Sequence, residues 1–315
     1  MLFQANMSGK ESIHNMLKFR KAALAVCTAA ALVMGAQTVL ASDQVPYVAL
    51  GADLSTEQRI AVLDLLGLTE EDLTHDTVVT VTNAEEHEYL DAYVSPSVIG
   101  SRALSSCKVM EEAKGHGITV EVHNITYVTP AMYENALATA GMKNASVVVA
   151  GPSPISGTAA LVGAMKAYSQ MHGTPISPEL IDSATDELVK TGELAESLGD
   201  SEEAAEIIAA LKQVVAENDL KTDEDINNAI DEVAGKLEIS LSEEDRQLIL
   251  DLMEKLSTLD LDADNLAEQA RGIYSELQQR GFSLSDYGIT KEEAQGLLAR
   301  LIQFLKELLA SLGNK

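Results

Sequence analysis

The sequence predicts a mixed α/β domain of about five strands with packed helices, followed by an all-α helical bundle. Three observations carry this expectation. Up to about residue 172, short β-branched runs alternate with segments of helical periodicity. Beyond Gly173-Thr-Pro-Ile-Ser-Pro178 the periodicity is helical throughout. The glycine and two prolines of that stretch block helix continuation, which makes it the natural boundary. The expected organisation is a leader over residues 1–41, a mixed α/β domain over 42–172 and an acidic helical domain over 177–315.

The leader comes first. Lys18, Arg20 and Lys21 precede an apolar run from Ala22 to Leu40, and Val39-Leu-Ala41 then offers small or apolar residues before Ser42. Basic, apolar and small in that order is the pattern of a cleaved secretory signal. An uncleaved anchor is the competing reading, because the run approaches the length of a bilayer span. Cys27 has Val26 before it and too little apolar chain upstream for a lipidation site, so it is expected to leave with the leader. Residues 1–15 have no signal character, and Met16 would open a more usual leader.

In the α/β part, Tyr47-Val-Ala-Leu50 reads as a short strand. Ser55-Thr-Glu-Gln58 is a capping box that opens a helix carrying Ile60, Val62, Leu63, Leu65 and Leu66 at helical spacing. Thr77-Val-Val-Thr-Val81 is a β-branched strand, and Thr82-Asn83 caps a short helix through Leu90. The stretch from Ala103 to Asn124, broken at Gly115-His-Gly117, reads as a hairpin. In its second arm Ile118, Val120 and Val122 alternate with Thr119, Glu121 and His123, giving one buried and one wet face. A helix from Pro130 to Ala140, a strand at Val147–Ala150 and a helix from Thr158 to Met171 complete the set.

The second part is expected to form helices near 177–190, 201–217, 223–237, 242–257, 262–280 and 290–312. Ser242-Glu-Glu-Asp245 and Thr290-Lys-Glu-Glu293 are both capping boxes and lie 48 residues apart. The segments they open are similar, which suggests a duplicated helical hairpin within a small bundle rather than a solenoid. Ala294, Leu298, Leu301, Leu305, Leu308 and Leu312 form an apolar stripe at alternating spacings of four and three, expected to be buried in that bundle.

Charge excludes several functions. The 315 residues hold 22 Lys+Arg against 49 Asp+Glu, net −27. Without residues 1–41 the balance is 18 against 48, net −30, and two thirds of that excess lies beyond residue 176. A surface so acidic repels a phosphate backbone, so nucleic-acid binding is excluded. The trimmed chain keeps one cysteine, Cys107, and therefore no internal disulfide.

Several segments carry the resemblance to a known family. They are Val48-Ala-Leu-Gly-Ala-Asp-Leu-Ser55, Thr80-Val-Thr-Asn-Ala-Glu-Glu-His-Glu-Tyr-Leu90, Ile99-Gly-Ser-Arg-Ala103 and Ser156-Gly-Thr-Ala-Ala-Leu161. On these the chain resembles the YpuA-like secreted proteins of Gram-positive bacteria, a family of unknown function. The resemblance covers about 42–255, with the last sixty or so residues as an extension. It implies export and domain identity, and it supplies no mechanism.

Candidate chemistry is sparse. His87-Glu88-x-x-Asp91 has the spacing of a zinc-protease helix, with Asp91 where a second histidine would stand. His87, Glu88, Asp91 and a distant His123 form the candidate metal set; the plainer alternative is a solvated helix rich in N-terminal carboxylates. Gly151-Pro-Ser-Pro-Ile-Ser-Gly157-Thr158 follows a strand and opens a helix, but Gly157 stands where a phosphate loop needs lysine. A structural turn capped by Thr158 or Ser156 is the better reading. Ser55, Ser101, Ser105 and Ser106 lack a nucleophile elbow. Asp260-Leu-Asp-Ala-Asp-Asn265 and Asp223-Glu-Asp-Ile-Asn227 start like calcium loops but lack the bidentate glutamate, ending at Arg271 and Ala234. Both read better as helix starts.

The reading that follows is a secreted or envelope-associated, non-enzymatic protein acting through contacts with a protein partner. Neither nucleic acid nor a transmembrane helix is expected after leader removal, and no cofactor. Two alternatives remain: a metal-assisted hydrolase using zinc at His87, Glu88, Asp91 and His123, and a calcium-responsive or wall-glycan-binding envelope module.

Overall fold

The computed structural model describes residues 45–73, 77–267 and 269. The leader with Cys27, His75, most of the helix expected over 262–280 and the stripe over 290–312 lie outside the described residues. The described residues fall in one compact unit that begins at Val45.

The α/β part runs β1 (Tyr47–Gly51), α1 (Thr56–Leu65), a 3-10 turn (Glu70–Asp72), β2 (Val78–Val81), α2 (Asn83–Leu90), α3 (Pro96–Ile99), β3 (Ser106–Glu111), β4 (Ile118–Ile125), α4 (Pro130–Thr139), β5 (Ala145–Ile155) and α5 (Thr158–His172). Then come α6 (Pro178–Leu198), α7 (Ser201–Asn218), α8 (Asp223–Leu237) and α9 (Glu243–Ser257). A mixed α/β region followed by helices is the architecture expected from the sequence. The capping boxes at Ser55, Thr82 and Ser242 all close as their spacing dictates, each tying two backbone N–H groups that the helix leaves free.

The strands form one sheet in the order β2-β1-β3-β5-β4. β1 is parallel to β2, and β4 to β5, while β3 is antiparallel to both β1 and β5. Here one expectation is corrected: β3 and β4 are no hairpin. They run antiparallel, but β5 lies between them, and Ala145 pairs with Glu111 on one side and Ile118 on the other. The six residues from 112 to 117 therefore span two strand spacings, roughly 9.5 Å. Burial explains why β5 takes the centre: Val147, Val149 and Ala150 are all at most 1% exposed, and a strand so apolar needs partners on both edges.

Alternation along β1 sends its residues to two faces. Val48 and Leu50 pack with Ala150 against Val62, Leu63 and Leu66 of the α1 layer. Ala49 joins Val81, Cys107, Val109, Val147 and Val149 on the opposite face, under Leu161 and Ala164 of α5 and Met132 and Leu137 of α4. Each buried Val or Leu contributes roughly 1.5–3 kcal/mol relative to exposure. The first of these faces has the thinner cover.

Core side chains continue across the Gly173–Pro178 break. Ala184, Leu188 and Val189 of α6 belong to the same apolar cluster as the sheet. α6 also runs eight residues beyond its expected end at 190, through Gly192 to Leu198, where Gly199 caps it. Gly192 is inside the helix because the Tyr127 hydroxyl approaches there; a Cβ would sit 3.0 Å from it. A second cluster joins Leu194 to Ile207, Ile208, Leu211, Ile230, Val233, Ile249 and Met253, the bundle expected from the helical periodicity.

One polar knot ties α7 to the α/β core. Lys212 and Glu187 are 1% and 0% exposed in their side chains, with Nζ and Oε1 2.6 Å apart. The ammonium also donates to the Asn135 carbonyl at 2.8 Å and to Thr139 Oγ1 at 3.0 Å, so its three protons are placed. The Thr139 hydroxyl donates to Glu187 Oε2. Burial pushes the Glu187 carboxyl up and the Lys212 ammonium down, each opposed by the charge of the other.

Candidate functional site

Because only β3 runs against the others, the C-terminal ends of β1, β2, β4 and β5 point to one edge of the sheet. Sites in α/β sheets gather at that kind of edge, where chains leave parallel strands for helix N-termini. Here α2 starts after β2, and two residues separate the end of β5 from the start of α5.

The start of α5 differs from the cap expected at Thr158 or Ser156. Its N-cap is Gly157, at φ +100°, with no side-chain cap of its own. A Cβ at Gly157 would lie 2.5 Å from the Tyr133 hydroxyl, which donates to the Gly157 carbonyl at 2.6 Å. The N–H of Ala160, which also reaches the Gly157 carbonyl at 3.1 Å, donates to Ser105 Oγ at 2.9 Å, fifty-five residues away in sequence. This releases the Thr158 hydroxyl to reach the Glu86 Oε1 of α2 at 2.9 Å. Glu86 Oε2 accepts from Asn83 Nδ2 at 3.3 Å.

Around these groups lies a pocket of about 230 Å3, walled by Glu86, Ile99, Leu104, Ser105, Ile155 and Thr158, with Ser101 and Arg102 also lining it. Glu86, Ser105 and Thr158 are only 1%, 3% and 2% exposed. Burial raises the Glu86 carboxyl above its ordinary pKa, against the opposing hydrogen bonds from Thr158 and Asn83 and the pull of His87. Among the described residues Glu86 has no ion-pair partner.

A larger hollow of about 420 Å3 opens between α2, α5 and the start of α6. Val79, Tyr89, Val162, Met165, Ile176 and Ile181 give it apolar walls. Lys166 lies at this hollow, bonded to Glu85 at 2.5 Å and to the Thr80 carbonyl at 2.6 Å. Volumes of roughly 300–1,000 Å3 with mainly apolar walls and few polar groups are usual for binding sites.

The residues singled out from the sequence fall into separate places. His87 Nδ1 meets Asp91 Oδ1 at 2.6 Å across one turn of α2, in an exposed pair that raises the imidazole above its ordinary value. Glu88 is exposed beside them. His123 stands on the wet side of β4 with Nε2 3.2 Å from Glu121 Oε1. Among the described residues no group of three or more His, Cys, Asp or Glu is arranged to hold a metal ion. Asp262 Oδ1 accepts from the Asn265 N–H while Oδ2 pairs with Lys143, and Thr222 caps α8 through the Asp225 N–H. Those acidic runs act as helix starts.

Cys107 and Ser106 are taken up by the core. Cys107 is wholly buried, and burial pushes its thiol up to about 12, far from a thiolate at neutral pH. Ser106 accepts from the Gly51 N–H and donates to the Leu104 carbonyl. Among the described residues neither Ser105 nor Ser106 is bonded to a histidine. In the acidic run Glu86 stands directly before His87, and a metal-ligand pattern selects His87 instead. The available signal was helical spacing, since Glu86 shares a face with Leu90, which is 0% exposed.

Among the described residues no helix is long and apolar enough to cross a membrane. No solved structure matches the chain. An uncharacterized protein of Bacillus subtilis, YpuA, is 41% identical over 223 residues, an alignment covering 70% of this chain and 75% of that protein. The family model described as protein of unknown function DUF1002 matches residues 50–273, which takes in the pocket, the hollow and every described helix. The match runs past residue 255, where the resemblance read from the sequence stopped, and on this ground the chain belongs to the DUF1002 family.

Proposed function

We propose that the chain is exported by its leader, loses residues 1–41, and works at the cell envelope by gripping another protein rather than by catalysis. The apolar hollow at Tyr89 and Ile176 carries this reading. Its occupant is an apolar side chain presented on a segment rich in Lys or Arg. Charge complementarity supports that choice, because the trimmed chain is at net −30. Burial, and then the charges of Glu88 and Glu85, hold the Tyr89 hydroxyl above its ordinary pKa. Lys166 adds little positive charge to the hollow, since Glu85 neutralises it.

Fluorescence anisotropy with labelled peptides tests the hollow. A peptide with a central Leu flanked by Lys should bind, and the same peptide with Glu flanks or a central Ser should not. Ile176→Asp, a half-buried wall position, should abolish the binding. Equal binding of all three peptides would refute the reading. Export has its own test: the N-terminus of the protein recovered from the envelope or medium should be Ser42, and an intact chain found only in the cytosol would overturn it.

A further inference from the structure

We propose that the pocket walled by Glu86, Ser105 and Thr158 binds one small, uncharged, hydroxyl-rich ring, a single sugar residue being the type. The first argument is unused bonding capacity in a built site. Ser105 Oγ spends its acceptor side on the Ala160 N–H, and no acceptor for its own proton is present among the described residues. That proton belongs to a side chain only 3% exposed in a pocket wall. An unmet buried donor is costly, and a ligand oxygen would relieve it. The Glu86 oxygens take one hydrogen bond each, from Thr158 and Asn83, and each retains a lone pair for a ligand O–H.

The second argument is the sign of the surroundings. An anion would meet the buried Glu86, which has no ion-pair partner among the described residues. A cation would meet Arg102 and the N-terminus of the 15-residue helix α5, which carries about half a positive charge. A neutral group that both donates and accepts suits both sets. Hydroxyls do that.

Size and walls supply the third. At about 230 Å3 the pocket falls below the roughly 300–1,000 Å3 of drug-sized sites, so it has room for one ring. Val98, Ile99, Leu104 and Ile155 give that ring's C–H faces an apolar surround.

The test uses the full-length protein with glucose, galactose, N-acetylglucosamine and glycerol as neutral probes, and glucosamine and glucuronate as charged ones. Saturation-transfer NMR and titration calorimetry should show at least one neutral sugar binding with a millimolar Kd and the charged sugars binding more weakly. Ser105→Ala should weaken the bound sugar about tenfold, the usual cost of one lost hydrogen bond with its partner left unmet. Since that variant also takes one of its two acceptors from the Ala160 N–H, Ser101→Trp provides a second arm: it blocks the pocket from an exposed position and should remove binding with the fold unchanged by circular dichroism. No binding of any neutral probe to the folded protein overturns the proposal. So does tighter binding of a charged sugar, or binding that survives Ser101→Trp.

Discussion

Two buried carboxylates in this molecule have nearly the same exposure and opposite meanings. Glu187 and Glu86 are 0% and 1% exposed, and each accepts a hydrogen bond from a threonine hydroxyl. Glu187 also has Lys212, whose three protons are all placed, and it lies deep between α4, α6 and α7. Glu86 has no ion-pair partner among the described residues and faces a pocket. The first arrangement is finished and holds two parts of the chain together. The second keeps open bonding positions at the edge of a sheet where ligands commonly sit. Burial of a charge marks a functional place only where its surroundings leave it incomplete.

The largest expected effect breaks the finished member of the pair. Lys212→Met leaves Glu187 buried without its counter-charge, and removing one partner of such a pair costs about 3–5 kcal/mol. Urea denaturation should show the midpoint fall accordingly. Replacing both, Lys212→Met with Glu187→Leu, should recover most of the loss, because a buried pair and an apolar substitute are often nearly equal in stability. A double variant as unstable as the single one would show that the knot supplies more than pairing.

The two carboxylates also differ in how far they could be read from sequence. Strand and helix positions follow local rules, and α8 runs over 223–237 as its capping and spacing dictate. The position of β5 between β3 and β4 does not follow from local rules. Pairing across the sheet is decided by burial summed over distant residues, and the stretch from 103 to 124 contains nothing that says a third strand will enter. Lys212 was partly legible, since Ile208 and Val215 lie four and three residues away on the same helical face, both at most 3% exposed. Its partner was not. Nothing in the order of residues says that Thr139 and Glu187 will meet it. The pocket was the least legible, because Glu86, Ser105 and Thr158 come from three segments and Ser105 earns its role by capping a helix 55 residues away.

Next in size is the support beneath the pocket. Tyr133 is 0% exposed, and its hydroxyl holds the Gly157 carbonyl that opens α5. Tyr133→Phe keeps the ring and removes one of that carbonyl's donors while the Ala160 N–H stays on it, at a cost of about 0.5–1.5 kcal/mol. Thermal unfolding should show the loss. If the comparison between the two regions is right, sugar binding should also weaken in this variant, since Ser105 and Thr158 are positioned by the same turn. Lys212→Met, below its unfolding midpoint, should leave binding intact.

Glu86 should then show itself through pH. Its folded pKa is raised by burial, so the native state holds the proton more tightly than the unfolded chain does. Stability from this group is present at low pH and falls as pH rises from the ordinary carboxyl value of 4.5 through the folded value. Glu86→Gln keeps the shape and removes the titration, so its stability should exceed that of the parent at neutral pH and converge on it in acid. Parallel curves for parent and variant would mean that Glu86 is not desolvated as its surroundings imply.

The smallest expected effect falls on the exposed pair His87–Asp91. The hydrogen bond that His87 donates to Asp91 raises the imidazole pKa, so the sign is opposite to that of Glu86 in cause and alike in direction. The bond stabilises the fold fully below the ordinary imidazole value of 6.5, and that contribution disappears as pH rises through the raised folded value. Exposed pairs are screened by salt, so His87→Ala should alter stability only slightly, and only at low ionic strength below that range. The sharper readout is the imidazole titration itself by NMR, which should move down toward 6.5 in Asp91→Asn and stay put in Glu88→Gln. Movement in both would mean that the whole acidic run, not one neighbour, sets the charge of His87.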